Sequence, residues 1–254
     1  MRFELLYNPR LLCERLAVAS LRQRRLAKLR NTMAVNLVSG HIDSLELIEI
    51  SKPLGINSIY DIGANVGTWA LLAKSLIPNT RIDGFEPLPS HQEGFLKNFE
   101  GVAGVNLHAI SLGAENGKGS LHVTDFSDAS SLLPLAEASS SHFGLTEVGI
   151  VPTEVRKLDD YRKEFGLPNP DLIKLDVQGY ELEVLKGARD CLRTAKAVIS
   201  EVSFLEYYEG QCLFHDLVAF LADYGLFVNA VGVNTPLGRT IDQTDVLFTR
   251  RQVG

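Results

Sequence analysis

From residue 56 onward, apolar runs of strand length alternate with amphipathic stretches of helix length, and no other feature limits the possible folds as strongly. Residues 56–61, 81–86, 105–110, 171–176, 196–202, 226–231 and 245–249 read as strands. Residues 66–77, 89–99, 180–189 and 214–224 read as helices between them. A strand that feeds a helix and then a further strand builds a parallel pair. The expected class is therefore α/β, with a doubly wound, mostly parallel sheet covered by helices on both faces. In such sheets a ligand sits outside the carboxyl ends of the strands, where the strand order reverses. At 254 residues and 45% hydrophobic side chains, the chain can bury one large core.

Two segments stand outside the alternation. Residues 10–30 read as a helix in which leucines such as Leu16, Leu26 and Leu29 lie among cationic positions. Residues 1–30 hold eight Lys/Arg against two Glu, whereas the whole chain has a net charge of −6. The body is thus acidic and a poor match for nucleic acid. The basic arm fits three roles: peripheral contact with an anionic membrane, contact with a second subunit, or packing on its own domain. The expected organisation is a basic helical extension over residues 1–50 and a single domain over 51–254. The second segment, 125–151, is rich in serine and lacks a clear period. It reads as a long loop, and loops of that length tend to serve a site.

Three widely spaced cysteines (Cys13, Cys191, Cys212) form no C-x-x-C pair. They read as buried thiols in a reducing compartment, without disulfide or zinc. No stretch is long and apolar enough to cross a membrane, and a cytoplasmic location is expected.

The residues richest in chemistry are Asp61-Ile-Gly63-Ala-Asn65-Val-Gly67-Thr-Trp69, which leave a strand and open a helix. Gly63 and Gly67 permit a sharp turn with close backbone approach. A dinucleotide fingerprint requires G-x-G-x-x-G. Asn65 stands at its second glycine, the third is missing, and Asp61 would repel a phosphate. Glu86 ends the next strand, and its carboxylate can accept two hydroxyl hydrogen bonds from a ribose diol. An adenosine ligand without phosphates suits this pair and points to S-adenosylmethionine. Further on, Lys174 and Asp176 stand two apart on an apolar strand and share one face, so each needs a partner or a task.

The stretches DIGANVGTWA at Asp61, FEP at Phe85, KLDVQGYELEVLKGA at Lys174 and ISEVS at Ile199 resemble the FkbM family of S-adenosylmethionine-dependent methyltransferases. The likeness spans roughly residues 56–249. It implies the class I methyltransferase fold, a Rossmann-like seven-stranded sheet. It further implies a loop of Asp61, Gly63, Asn65 and Gly67 around the methionine part of the cofactor, and Glu86 on the ribose. Ser111 and Leu112 would flank the adenine, Asp176 would face the sulfonium and the acceptor, and Glu201 would lie on the same rim. One departure is Gln178, where the family usually has an acid.

Methyl transfer to a hydroxyl needs alignment and one proton acceptor. Asp176 is the first candidate and Glu201 the second, with Lys174 as a catalytic neighbour; His142 and His215 are weaker candidates. No metal site is expected. The expected reaction is O-methylation of a sugar, glycolipid or natural-product hydroxyl, with segment 125–151 as a lid over the acceptor. The alternatives are methylation of an amide or amine nitrogen, a nicotinamide-dependent oxidoreductase on a similar sheet, and a non-catalytic scaffold.

Overall fold

A computed structural model describes residues 9–37, 42–137, 144–232 and 241–251. The chain opens with helix α1 (Pro9–Leu29) and a short α2 (Leu45–Ser51). Strand β1 (Ser58–Ile62), helix α3 (Thr68–Leu76), strand β2 (Arg81–Phe85), helix α4 (Pro89–Asn98) and strand β3 (Val105–His108) follow. A second sheet is built from β4 (Ser111–Leu112), β5 (Gly117–Thr124) and β6 (Glu147–Arg156). After α5 (Leu158–Glu164), the chain returns to the main sheet with β7 (Leu172–Leu175). Helices α6 (Glu181–Lys186) and α7 (Arg189–Thr194), β8 (Ala197–Ser203), α8 (Phe214–Ala222), β9 (Leu226–Val231) and β10 (Gln243–Arg250) complete it.

The main sheet has seven strands in the order β3-β2-β1-β7-β8-β10-β9. Its pairs are parallel except those of β10, which runs antiparallel to β8 and β9. The order reverses between β1 and β7, so the crevice expected for a ligand opens there.

Successive strand residues enter different cores, as side chains alternate across a sheet. Tyr60, Ile173, Val198 and Phe248 join a cluster on one face. Ile59, Leu172, Ala197, Ile199 and Leu247 join a cluster on the other. Both faces are therefore apolar and covered, which is the condition for a parallel sheet. Residues 29–48, which lie within the expected extension, contribute Leu29, Ala34, Ile42, Leu45 and Ile48 to the second cluster. The carboxyl end of α1 thus packs on the chain's own domain, while Leu16 nearer its start is 61% exposed.

Three local expectations need correction. Cys13 is exposed, and Cys191 and Cys212 are the buried thiols. The segment read as a loop over 125–151 ends in strand β6, which pairs with β5 from Thr124 back to Gly117. Pro152 obscures this strand in the sequence. It is tolerated because β4 pairs only with Val155 and Arg156, so Pro152 is laddered on one side alone among the described residues. The stretch 180–189 divides into α6 and α7 at Gly187, where a Cβ would lie 2.1 Å from the Gly113 carbonyl oxygen. Among the described residues, no helix is long and apolar enough to cross a membrane.

The last strand also locks a helix end. Arg250 donates from Nε to the Ala195 carbonyl (2.9 Å), from Nη1 to Tyr224 (3.0 Å), and from Nη2 to Leu192 and Arg193 (2.8 and 2.7 Å). A guanidinium on the orphan carbonyls of α7 satisfies the negative end of that helix. Arg250→Leu is expected to lower stability by about 2 kcal/mol, measured as a shift in the urea midpoint at unchanged slope.

Candidate functional site

A cleft of about 960 Å³ opens at the reversal point, over the carboxyl ends of β1, β2, β7 and β8. Its floor is made by two turns that share a feature. Asn65 (φ 48°) follows β1 and Gln178 (φ 54°) follows β7; among the described residues these are the non-glycine positions with left-handed backbone. Conformations of this kind cost energy and persist where the surroundings over-determine them, commonly at functional sites.

Gly63 (φ +78°) lines the cleft, and a Cβ there would fall 1.9 Å from the carbonyl oxygen of Asp176. Its glycine is required because the β1 and β7 turns touch. Gly67 does not line the cleft; a Cβ there would strike Phe99 and Phe95 at 2.6 and 2.8 Å, so it seats α3 on α4. Asn65 donates its backbone N–H to Glu86 Oε2 (2.9 Å) and its side-chain amide to Asp128 Oδ1 (2.9 Å). Glu86 Oε1 accepts the Leu88 N–H (2.8 Å). Each carboxylate oxygen of Glu86 thus has one backbone donor; His91 Nδ1 also lies 3.4 Å from Oε1, while Oε2 keeps a lone pair for a ligand hydroxyl. Ser111 and Leu112 line the opposite wall from β4, with Ser111 Oγ 2.9 Å from Thr153 Oγ1.

Asp61 lies beneath this turn and is not part of the cleft wall. It is fully buried, and neither carboxylate oxygen has a hydrogen-bond partner among the described residues. Burial pushes its pKa up to about 6; Lys174 opposes the rise, while Asp176 and Glu86 add to it. The indole Nε1 of Trp69, a cleft residue, is likewise buried without a partner among them. A buried orphan carboxylate calls for a cationic or hydrogen-bond-donating ligand, and a sulfonium amino acid bearing an ammonium group and a ribose diol fits this donor and acceptor set.

On the far side, four strands each carry an apolar residue and, two positions nearer the cleft on the same face, a charged one. The pairs are Ile59 and Asp61, Leu172 and Lys174, Ile199 and Glu201, and, in the antiparallel strand, Leu247 and Asp245. Asp61 pairs with Lys174 in register, and Glu201 with Asp245. Lys174 Nζ donates to Asp176 Oδ2 at 2.8 Å. Burial works against the lysine charge, yet Asp176, Asp61 and Asp245 together hold its pKa above the ordinary value. The Gln178 amide nitrogen donates to Asp176 Oδ1 (2.7 Å) and Glu201 Oε2 (3.2 Å), while Tyr208 reaches Gln178 Oε1 at 3.0 Å. Burial and the neighbouring charges of Asp176 and Asp245 raise the pKa of Glu201 well above that of an ordinary glutamate. Asp245 is also raised, by burial first, against the lowering effect of Lys174 and Ser44.

The structure thus gathers Gly63, Asn65, Glu86, Ser111, Leu112, Lys174, Asp176 and Glu201 around one cleft. Asp125, Asp128, Ser130 and Ser131 from the serine-rich segment line it too. His215 lies elsewhere and is exposed; His142 falls outside the described residues. Sequence reasoning missed Asp245, Tyr208 and Ser44. The period-2 pattern of β10 could have flagged Asp245, but Tyr208 and Ser44 arrive through tertiary contact alone. Among the described residues, no three metal-ligating side chains converge.

Comparison with known proteins gives the family. Residues 61–226 match the model of the methyltransferase FkbM domain. The chain is similar to the 2-O-methyltransferase NoeI of Sinorhizobium fredii, with 28% identity over 193 residues, 73% of this chain and 78% of that protein. It is 31% identical over 157 residues to the methyltransferase sdnD of Sordaria araneosa, covering 51% and 59%. It is 29% identical over 144 residues to the hexuronic acid methyltransferase AglP of Haloferax volcanii, covering 57% and 55%. With the matched segment carrying both cleft turns and most of the acid row, the chain belongs to the FkbM family of S-adenosylmethionine-dependent methyltransferases.

Proposed function

We propose that the cleft binds S-adenosylmethionine and methylates a hydroxyl of a sugar or related natural product. The observation that supports this reading is the Asp176–Gln178–Glu201 bridge at the cleft rim, two carboxyl groups joined by one amide near the orphan acid of the glycine turn. When bound, S-adenosylmethionine supplies a methyl group on a sulfonium, activated for in-line displacement. A hydroxyl attacking that carbon forms an O–C bond as the C–S bond breaks, and its proton must leave.

Asp176, with its side chain 35% exposed, is the carboxylate open to the acceptor. Lys174 steadies it, and Gln178 ties it to Glu201, which burial and the charges of Asp176 and Asp245 keep protonated above the ordinary range. In the cofactor half, Gly63 and Asn65 shape the turn around the methionine part, and the charge of Asp61, buried beneath that turn, attracts the ammonium group. Gly67 keeps that turn in place from behind. Glu86 takes the ribose, and Ser111 with Leu112 borders the adenine. Two relatives bear sugar-directed or 2-O-directed names, which supports a hydroxyl acceptor.

Incubation with deuterium-labelled S-adenosylmethionine and a panel of methyl glycosides tests the reading. The expected product gains one labelled methyl on oxygen. A label found on the nitrogen of amino-sugar members alone would favour N-methylation instead.

A further inference from the structure

The family match begins at residue 61, yet the cleft has walls that come from earlier in the chain. Asp43 and Ser44 line it beside Asp245. Ser44 is 3% exposed, and its hydroxyl donates to Asp245 Oδ2. That contact closes the charged row at its β10 end, where Asp245 faces Glu201 across the strand pair.

Beside the buried Leu45, a cation from the basic arm holds residues 43–46. Arg25, on α1, is 5% exposed. It donates from Nε and Nη2 to the two oxygens of Glu46 (2.9 and 2.5 Å) and from Nη1 to Asp43 Oδ1 (2.7 Å). A planar fork bound to one carboxylate at two points and to a second carboxylate sets direction as well as distance, which a lysine cannot reproduce. Burial opposes this charge, but the two acids keep the pKa of Arg25 raised. An exposed pair, Lys28 with Glu49 at 2.6 Å, runs alongside it.

We infer that Arg25 is a positioning residue for the acceptor site. It holds residues 43–46 so that Ser44 orients Asp245 and, with Asp43, forms the wall against which the acceptor rests. This rests on the proposed assignment of the acid row to the acceptor half of the cleft. It gives the basic arm a task within its own domain. Loss of the Ser44 hydroxyl would leave Asp245 without that donor, beside Asp176 and Glu201, and an acceptor hydroxyl would meet a displaced acid.

Full-length Arg25→Gln, Ser44→Ala and Ser44→Thr variants test the inference with three readouts. Calorimetry with S-adenosylhomocysteine should return the wild-type affinity in all three, because Gly63, Asn65 and Glu86 are untouched. With labelled S-adenosylmethionine and the methyl glycoside that the wild type uses best, KM for the glycoside should rise about tenfold in Arg25→Gln and Ser44→Ala. Ser44→Thr, which keeps a hydroxyl, should restore it. Amide hydrogen exchange, which needs no acceptor, should speed up at residues 42–51 in Arg25→Gln and stay constant at residues 58–62. Unchanged exchange at 42–51, an unchanged KM in both variants, or a loss of S-adenosylhomocysteine affinity in step with KM would overturn the inference. A wild-type chain that fails to bind S-adenosylhomocysteine would instead overturn the cofactor assignment on which it rests.

Discussion

Asp61→Asn is expected to move two measurements in opposite directions: weaker binding of S-adenosylhomocysteine, and a ligand-free protein that gains stability relative to the wild type as pH rises. The carboxyl of Asp61 is fully buried without a partner among the described residues, and its pKa is raised from 3.8 to about 6. A carboxyl whose folded pKa exceeds its unfolded one binds more protons folded than unfolded. Its contribution to stability is therefore complete below the unfolded pKa and is lost as pH climbs through about 6. That interval corresponds to roughly 3 kcal/mol, and the Asn variant, having no such titration, escapes the loss. Lys174 retains Asp176 at 2.8 Å in the variant, so the buried cation is not stranded. Thermal melts across pH 4 to 8 should show the variant gaining on the wild type up to about pH 6 and holding its lead above it. In calorimetry, the loss of this buried negative charge beneath the ammonium group should weaken affinity on the order of a hundredfold. A melting difference independent of pH would contradict the buried, raised acid, and an unchanged affinity would remove Asp61 from the cofactor site.

Asp176→Asn is expected to lower turnover about a thousandfold, the usual range for loss of a general base, while S-adenosylhomocysteine binding stays near the wild-type value. Glu201→Gln tests the partner. Glu201 holds its proton above the ordinary range because it is buried and faces the charges of Asp176 and Asp245. If Asp176 accepts the proton, Glu201→Gln should cost less turnover than Asp176→Asn. If the larger fall follows Glu201→Gln and Asp176→Asn is mild, the roles are reversed. Full activity in both variants would leave the reaction without either proposed base.

The alternation of strands and helices from residue 56 is legible because β1, β7 and β8 are apolar on both faces and bounded by turn residues. The turn after β1 is legible too, since only glycine tolerates the approach of the Asp176 carbonyl at Gly63. Gly67 shows the limit of that reasoning: its φ of +83° looks like a ligand turn, but the space it frees is filled by Phe95 and Phe99. Sheet β4-β6-β5 escapes the pattern because the outer half of β6 is exposed and carries Pro152. Asp245 hides in an antiparallel strand whose charged face becomes visible only once β10 is set beside β8. Ser44 and Arg25 are invisible to local patterning, because their work depends on contacts that span 201 and up to 21 residues. Gln178 is the opposite case: its departure from the family's acid is plain in the sequence, and the structure shows it donating to both Asp176 and Glu201.

Trp69 is the single tryptophan of the chain and stands in the cleft wall, so its fluorescence reports directly on occupancy of the cleft. Titration of the full-length protein with S-adenosylhomocysteine should produce a saturable change in that emission, reversed by competing S-adenosylmethionine and abolished in the Asp61→Ala, Glu86→Ala double variant. An emission unmoved by S-adenosylhomocysteine, or moved equally in the double variant, would contradict a cofactor site between β1 and β7.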